Sequence, residues 1–325
     1  MQSRRAQIAI LRRVAVAALE QYAVPDGRLT FIAHEENTTF RHDGPGGRLL
    51  VRVHRPQRHG RDVESAAAVR SELSWLSTIR ADTDLAVPEP VTARDGSTTV
   101  EASAAGESRV CSVLRWIDGR ILEESARPVH LRRLGDAMAR LHLQADAWRP
   151  PPGFVRIRWD HETFFGNRMV YGVTPAADCW ALLPAELRRR FEAVGARTSE
   201  VLDGGDVGLV HADLHLGNAV FHGGEVGLID FDDCGFGPRL YELAVALWEL
   251  RDEPGYAAYR DALLEGYLAH RDLDVTRLDD LIAVRQVAFA LWYVGMAQVN
   301  PAFAERLDEV YGWSLTLLDE VETGS

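Results

Sequence analysis

The sequence predicts an α+β chain in two parts, a small β-rich N-terminal part and a larger, mainly helical C-terminal part. Three observations carry this. Short β-branched or aromatic runs divided by turn residues gather between residues 28 and 116, with one further cluster at 207–230. Helical spacing of apolar residues dominates elsewhere after residue 129. The 325 residues, 46% hydrophobic, supply more core than one small domain needs.

Residues 4–23 have helical composition and end at the turn Pro25-Asp26-Gly27. β-type runs follow at Arg28–Ala33, Asn37–His42 and Leu49–His54, the last two divided by Asp43-Gly44-Pro45-Gly46-Gly47. Leu-Leu-Val-Arg-Val-His reads as a buried strand. From 62 to 80 the pattern is helical, with Asp62 as N-cap before Val63, Ala66, Val69, Leu73 and Leu76. Pro88 and Pro90 interrupt the chain before β-type runs at 98–102 and 109–116. The character changes near 115–119, which sets the expected division at 1–116 and 117–325. Val129–Leu143 reads as an amphipathic helix, Leu183–Leu202 as helical, the stretch 147–177 as loop-rich, and nearly everything from Arg239 onward as helix.

The composition excludes several functions. With 36 basic against 48 acidic side chains the net charge is −12, so neither nucleic acid nor an anionic membrane is an expected partner. There is no lysine, which rules out a P-loop with its Lys and Schiff-base chemistry. Cys111, Cys179 and Cys234 are too far apart to suggest a zinc ribbon or a disulfide framework. The N-terminal apolar run is broken by Arg12 and Arg13, unlike a signal peptide, and the apolar run at 287–299 is short for a membrane span. A cytoplasmic protein is expected, and nothing in the sequence specifies an oligomeric state.

The chemistry concentrates between Gly208 and Glu242. An apolar strand, Val207–Val210, leads into the polar loop His211–Asn218, and two short strands then deliver Asp230. Asp213, Asn218 and Asp230 are thereby expected around one point. Asparagine and aspartate oxygens are hard ligands suited to Mg²⁺, which binds few protein groups and retains phosphate oxygens and water. The remaining carboxylate, Asp213, suits a group that orients a hydroxyl and accepts its proton. Phosphoryl transfer asks for this combination of positioning and charge neutralisation. The register His211-Ala212-Asp213-Leu214-His215-Leu216-Gly217-Asn218 also matches the protein-kinase catalytic loop, with Ala in place of Arg.

On the segments H-A-D-L-H-L-G-N at 211–218, Leu228-Ile229-Asp230-Phe231-Asp232-Asp233 with Gly237-Pro238, and the N-terminal strand and helix, the chain resembles the aminoglycoside phosphotransferase and choline kinase superfamily. The resemblance spans about residues 28–320 and implies a protein-kinase-like two-lobed fold. It further implies transfer of the γ-phosphate of ATP, with Mg²⁺, to a hydroxyl of a small molecule such as an amino alcohol, sugar or antibiotic. Asp213 takes the catalytic position, and Asn218 and Asp230 the metal positions. Arg52 replaces the family's strand lysine. Glu72 is its expected helix partner, with Glu64 second. Arg115 and Trp116 lie at the expected hinge beside the nucleotide, and Glu242 is expected to brace the catalytic loop. His34–Phe40 stands where the family covers the phosphates, without its glycines.

Details near 156–160 and 230–238 most resemble the homoserine kinase and stress-response kinase branch. The acceptor-side expectation is an acidic mouth of Asp160, Glu162, Asp232 and Asp233, favouring an amine-bearing substrate. Competing readings are a stress-response serine/threonine protein kinase and a catalytically inactive kinase-like binding protein. Two hydrolases also compete: a haloacid dehalogenase-type phosphatase using Asp230 and Asp232, and a zinc enzyme using His211, Asp213 and His215.

Overall fold

The computed structural model describes residues 4–34, 37–56 and 64–323, and these form two compact units. The first contains the described residues up to Asp118 together with Pro150–Val155. The second contains Gly119–Arg149 and everything from Arg156.

In the first unit, helix α1 (Arg4–Gln21) precedes β1 (Arg28–His34), β2 (Thr38–Gly44) and β3 (Gly47–Val53). Helix α2 (Ser65–Asp82) follows, then β4 (Thr99–Ala104) and β5 (Glu107–Arg115). The strands make one antiparallel sheet in the order β1-β2-β3-β5-β4. Alternation along the central strand sets its two faces. Leu49, Val51 and Val53 are buried in the same apolar cluster as Leu11, Val14 and Ala18 of α1. Arg52, of opposite parity, points to the other face and meets α2. The cap of α2 is Glu64, whose carboxylate accepts the N–H groups of Ala66 and Ala67 at 2.9 and 2.6 Å. The expected cap, Asp62, lies outside the described residues.

The second unit opens with α3 (Pro128–Ala147). The loop-rich stretch resolves into β6 (Ile157–Arg158), α4 (His161–Phe165), β7 (Val170–Tyr171), β8 (Thr174–Pro175) and α5 (Ala176–Leu182). There follow α6 (Ala185–Gly204), β9 (Val207–Val210), β10 (Ala219–His222), β11 (Glu225–Leu228) and β12 (Gly235–Pro238). The remainder is α7 (Arg239–Trp248), α8 (Tyr256–Leu268), α9 (Leu278–Ala297), α10 (Pro301–Ala304) and α11 (Leu307–Thr323). β9 pairs antiparallel with β12, and β6 pairs parallel with β12. β10 and β11 form a hairpin turning at Gly223 and Gly224, both at positive φ as a two-residue hairpin turn requires.

Helix α9 is long and apolar enough to cross a membrane by composition, but here it is a core helix. Ile282, Val284, Val287, Leu291 and Val294 are fully buried. Helices α3 and α8 touch backbone to backbone because glycines face the contact. A Cβ on Gly135 would lie 2.1 Å from the Leu263 carbonyl, and one on Gly266 would lie 1.9 Å from that of Arg132. Both parts of the α+β expectation are present, an antiparallel sheet followed by helices.

Candidate active site

The loop after β9 is shaped by three anchors. Ala212 sits at φ 69°, a conformation that costs an L-residue energy and persists only when its surroundings impose it. Glu242, fully buried on α7, imposes it, accepting the N–H of His211 at 3.0 Å and of Ala212 at 2.6 Å. The His211 ring is the second anchor. Its Nε2 lies 2.8 Å from the Ile229 carbonyl, so Nε2 carries the proton, and Nδ1 accepts the Asp213 N–H at 3.3 Å. The third anchor is the Asn218 carbonyl, which accepts the Ile229 N–H at 3.0 Å. Both ends of the 211–218 loop are therefore stitched to Ile229, the residue preceding Asp230.

Asp213, Asn218 and Asp230 thus come from one continuous construction. The Asn218 Nδ2 donates to the Asp213 carbonyl at 2.9 Å and to its Oδ2 at 3.2 Å. With the amide nitrogen committed, Oδ1 accepts no hydrogen bond from any described residue. Asp230 is exposed and held at φ 61°, ψ 60°, a left-handed backbone that turns the chain two residues after β11. An uncommitted amide oxygen and an exposed carboxylate are the hard donors a small divalent cation takes, so these residues fit such an ion.

Arg285, distant in sequence and marked by no motif, also reaches Asp213, as does His215 two residues on in the same loop. Arg285 on α9 donates from Nη2 to Asp213 Oδ1 at 2.6 Å. His215 stands between carboxylates, with Nδ1 2.8 Å from Glu249 and Nε2 3.7 Å from Asp213. Burial alone would raise the Asp213 carboxyl, but Arg285 and His215 outweigh it and hold the group well below the usual range. Burial would lower His215, but Asp213 and Glu249 push it up to about 10.

In the first unit, Arg52 Nη1 meets Glu72 Oε1 at 2.5 Å, both side chains buried. Glu64, the second candidate for this partnership, is occupied as the α2 cap. Arg115 pairs with Glu89 at 3.3 Å, and the Trp116 ring lies 5.7 Å beneath the Arg41 guanidinium. Of His34–Phe40, residues 35 and 36 lie outside the described residues, and His34 Nδ1 is 2.7 Å from Thr38 Oγ1.

The residues of the expected acidic mouth have local partners. Asp160 caps α4 through Thr163 N–H at 2.9 Å and pairs with Arg168 at 2.9 Å. Glu162 accepts the Asn167 N–H at 3.1 Å. Asp160 and Glu162 line a cavity of about 420 Å³ whose lining includes neither Asp232 nor Asp233. Asp232 is buried, and Arg156 binds its backbone carbonyl, while the Asp233 carbonyl accepts from Trp159 Nε1 at 2.9 Å. A larger cavity of about 690 Å³ carries other acids. Glu123, Glu249 and Glu320 line it with Trp248, Phe289 and Trp313.

The sequence of residues 28–278 matches the family described as the phosphotransferase enzyme family. The chain belongs to that family. It is a phosphotransferase acting on hydroxyl groups. Among relatives, it is 30% identical over 297 residues to an uncharacterized protein of Deinococcus radiodurans, covering 88% of this chain and 82% of that one. It is 23% identical over 268 residues to the amicoumacin kinase of Bacillus subtilis, covering 79% and 74%. A microcompartment-associated aminopropanol kinase shares its fold with TM-score 0.76 at 24% identity, over 97% of this chain and 98% of that one.

Family membership displaces both hydrolase readings of this phosphotransferase, and the geometry agrees. After Asp230 the chain makes one short strand and then helices, not the α/β run a haloacid dehalogenase-type site needs. Both His211 ring nitrogens are committed, so His211, Asp213 and His215 do not form a zinc triad.

Proposed function

We propose that this phosphotransferase moves the γ-phosphoryl group of ATP to a hydroxyl of a small amine-bearing acceptor, with Asp213 as the acceptor-aligning carboxylate. The observation that carries the acceptor class is the cavity beside Asp213. Glu249, which lines it, contacts His215, and Trp248, another lining residue, lies under the guanidinium that binds Asp213. Six carboxylates line this cavity against one arginine, Arg251, which is already paired with Glu320 at 3.0 Å. Carboxylates with aromatic walls favour an ammonium group, through charge and through cation–π attraction.

Arg52 would bind α- and β-phosphate oxygens, its guanidinium oriented by Glu72, and Arg115 and Trp116 at the end of β5 would flank the base. Asn218 and Asp230 would hold Mg²⁺, which would neutralise charge on the phosphates. Asp213 would accept a hydrogen bond from the acceptor hydroxyl and take its proton late, as a loose transition state allows.

ADP release across a panel of amino alcohols, aminoglycosides and neutral sugars tests this reading. Turnover is expected with aminopropanol-type or aminoglycoside acceptors, and Glu249→Gln should raise KM for the acceptor. Preference for neutral sugars, with KM unmoved by Glu249→Gln, would overturn the acceptor class. Near-normal turnover by Asp213→Ala would overturn the role of Asp213.

A further inference from the structure

Arg285 occupies an unexpected place for an arginine. Its neighbours along α9, Ala283, Val284, Gln286 and Val287, are buried, and the helix is otherwise a packing element. The Arg285 and Asp213 side chains remain 19% and 25% exposed, and an ion pair of this kind is a poor device for stability alone. Its contacts gather around the loop after β9, where the Tyr241 side chain also hydrogen-bonds to it. Nη2 reaches Asp213 Oδ1 at 2.6 Å, and the guanidinium carbon lies 5.4 Å from the centroid of the Trp248 ring.

Trp248 is itself held. Its Nε1 donates to Gln286 Oε1 at 2.8 Å, the Gln286 amide donates to Ser314 Oγ at 2.8 Å, and Ser314 donates to the Val310 carbonyl at 2.8 Å. A chain of hydrogen bonds from α11 through α9 to the end of α7 therefore fixes the surface on which the guanidinium rests. Because Trp248 also lines the acceptor cavity, one side chain contacts both the acceptor space and the group that holds Asp213.

The two oxygens of Asp213 are held from different directions, Oδ1 by Arg285 and Oδ2 by Asn218. A carboxylate with one anchor rotates about its terminal torsion, whereas two anchors fix its plane. Each oxygen accepts more than one hydrogen bond, so acceptor capacity remains for an incoming hydroxyl.

We propose that Arg285 is a positioning residue for phosphoryl transfer. It fixes the plane of the Asp213 carboxylate so that the acceptor hydroxyl is aligned, with Trp248 as its backing. This rests on Asp213 being the acceptor-aligning group.

The test is a double-mutant cycle on the full chain with Arg285→Ala, Asp213→Asn and both together. Turnover is read as ADP release from ATP and Mg²⁺, once with water and once with aminopropanol as acceptor. Misplacement of a reacting group by about 1 Å costs on the order of 100-fold, so Arg285→Ala should lower kcat by about that factor with KM for ATP nearly unchanged. Millimolar methylguanidinium should restore part of the loss in Arg285→Ala, but nothing in the Asp213→Asn background. In that background, removing Arg285 should have no further effect, because the residue acts through Asp213.

Wild-type kcat in Arg285→Ala, or an equal loss in both backgrounds, would overturn the proposal. Where alanine costs the fold, as judged by melting, Arg285→Gln and Arg285→Lys replace it, with lysine expected to retain more turnover than glutamine. Equal turnover of those two variants would likewise overturn it. Near-normal turnover by Asp213→Asn alone would remove the reading of Asp213 instead, an outcome distinguishable from failure at Arg285.

Discussion

The two carboxylate oxygens of Glu242 accept the backbone N–H groups of His211 and Ala212, at 3.0 and 2.6 Å. Glutamine offers one acceptor and places an NH₂ against one of these donors, leaving a buried N–H unsatisfied. Glu242→Gln should destabilise the protein by about 2 kcal/mol and lower kcat, measured by denaturant unfolding and by turnover.

The same carboxyl sets a pH dependence. Burial would raise it, but His142 and the Ala212 N–H outweigh that, and the net shift is downward. A carboxyl depressed on folding contributes stability above its unfolded value, ~4.3, and loses it as pH falls through the lower folded value. Stability curves between neutral and strongly acid pH should therefore fall less steeply for Glu242→Gln than for the wild type. Equal acid slopes would contradict the assignment.

Ala212 at φ 69° makes a different prediction. Glycine adopts this conformation without strain, so Ala212→Gly should leave stability within about 1 kcal/mol of the wild type or above it. Ala212→Val, β-branched at positive φ and in a buried position, should lower the melting temperature and turnover together.

The buried Arg52–Glu72 pair separates folding from chemistry. Arg52→Met leaves Glu72 buried without its guanidinium, which should cost about 3–5 kcal/mol. Arg52→Met with Glu72→Met should regain most of that stability but not ATP affinity, as measured by calorimetric titration. If the double variant binds ATP as the wild type does, Arg52 is not a phosphate ligand.

Gly266→Ala tests the packing of α3 on α8. Helix propensity alone favours alanine by about 1 kcal/mol. The added Cβ would lie 1.9 Å from the Arg132 carbonyl, so the helices must separate, and a net loss of about 2 kcal/mol in thermal or denaturant unfolding is expected.

Local information made much of this legible. The strand Leu49–Val53, the helix bearing Glu72 and the loop 211–218 were all readable, because their patterns repeat over a few residues. The bracing role expected of Glu242 corresponds to its two backbone hydrogen bonds. Asp160 reads as an acceptor-side acid in the sequence, yet it is a helix cap paired with Arg168, a role that Asp-x-x-Thr at 160–163 signals only once the helix is known. Arg285 and Glu249 went unread. Arg285 lies on a helix and Glu249 directly after one, and helical periodicity reports burial, not which side chain crosses to a loop.

By itself the amino-acid order determined the α+β division, the phosphotransferase family and the spacing of Asp213, Asn218 and Asp230, since these depend on short-range pattern and backbone propensity. Only the tertiary structure decided that an arginine 72 residues away holds Asp213, and that acids other than the expected four line the cavity beside it. Such partnerships depend on helices meeting in space, and contacts between distant segments leave no period in the chain.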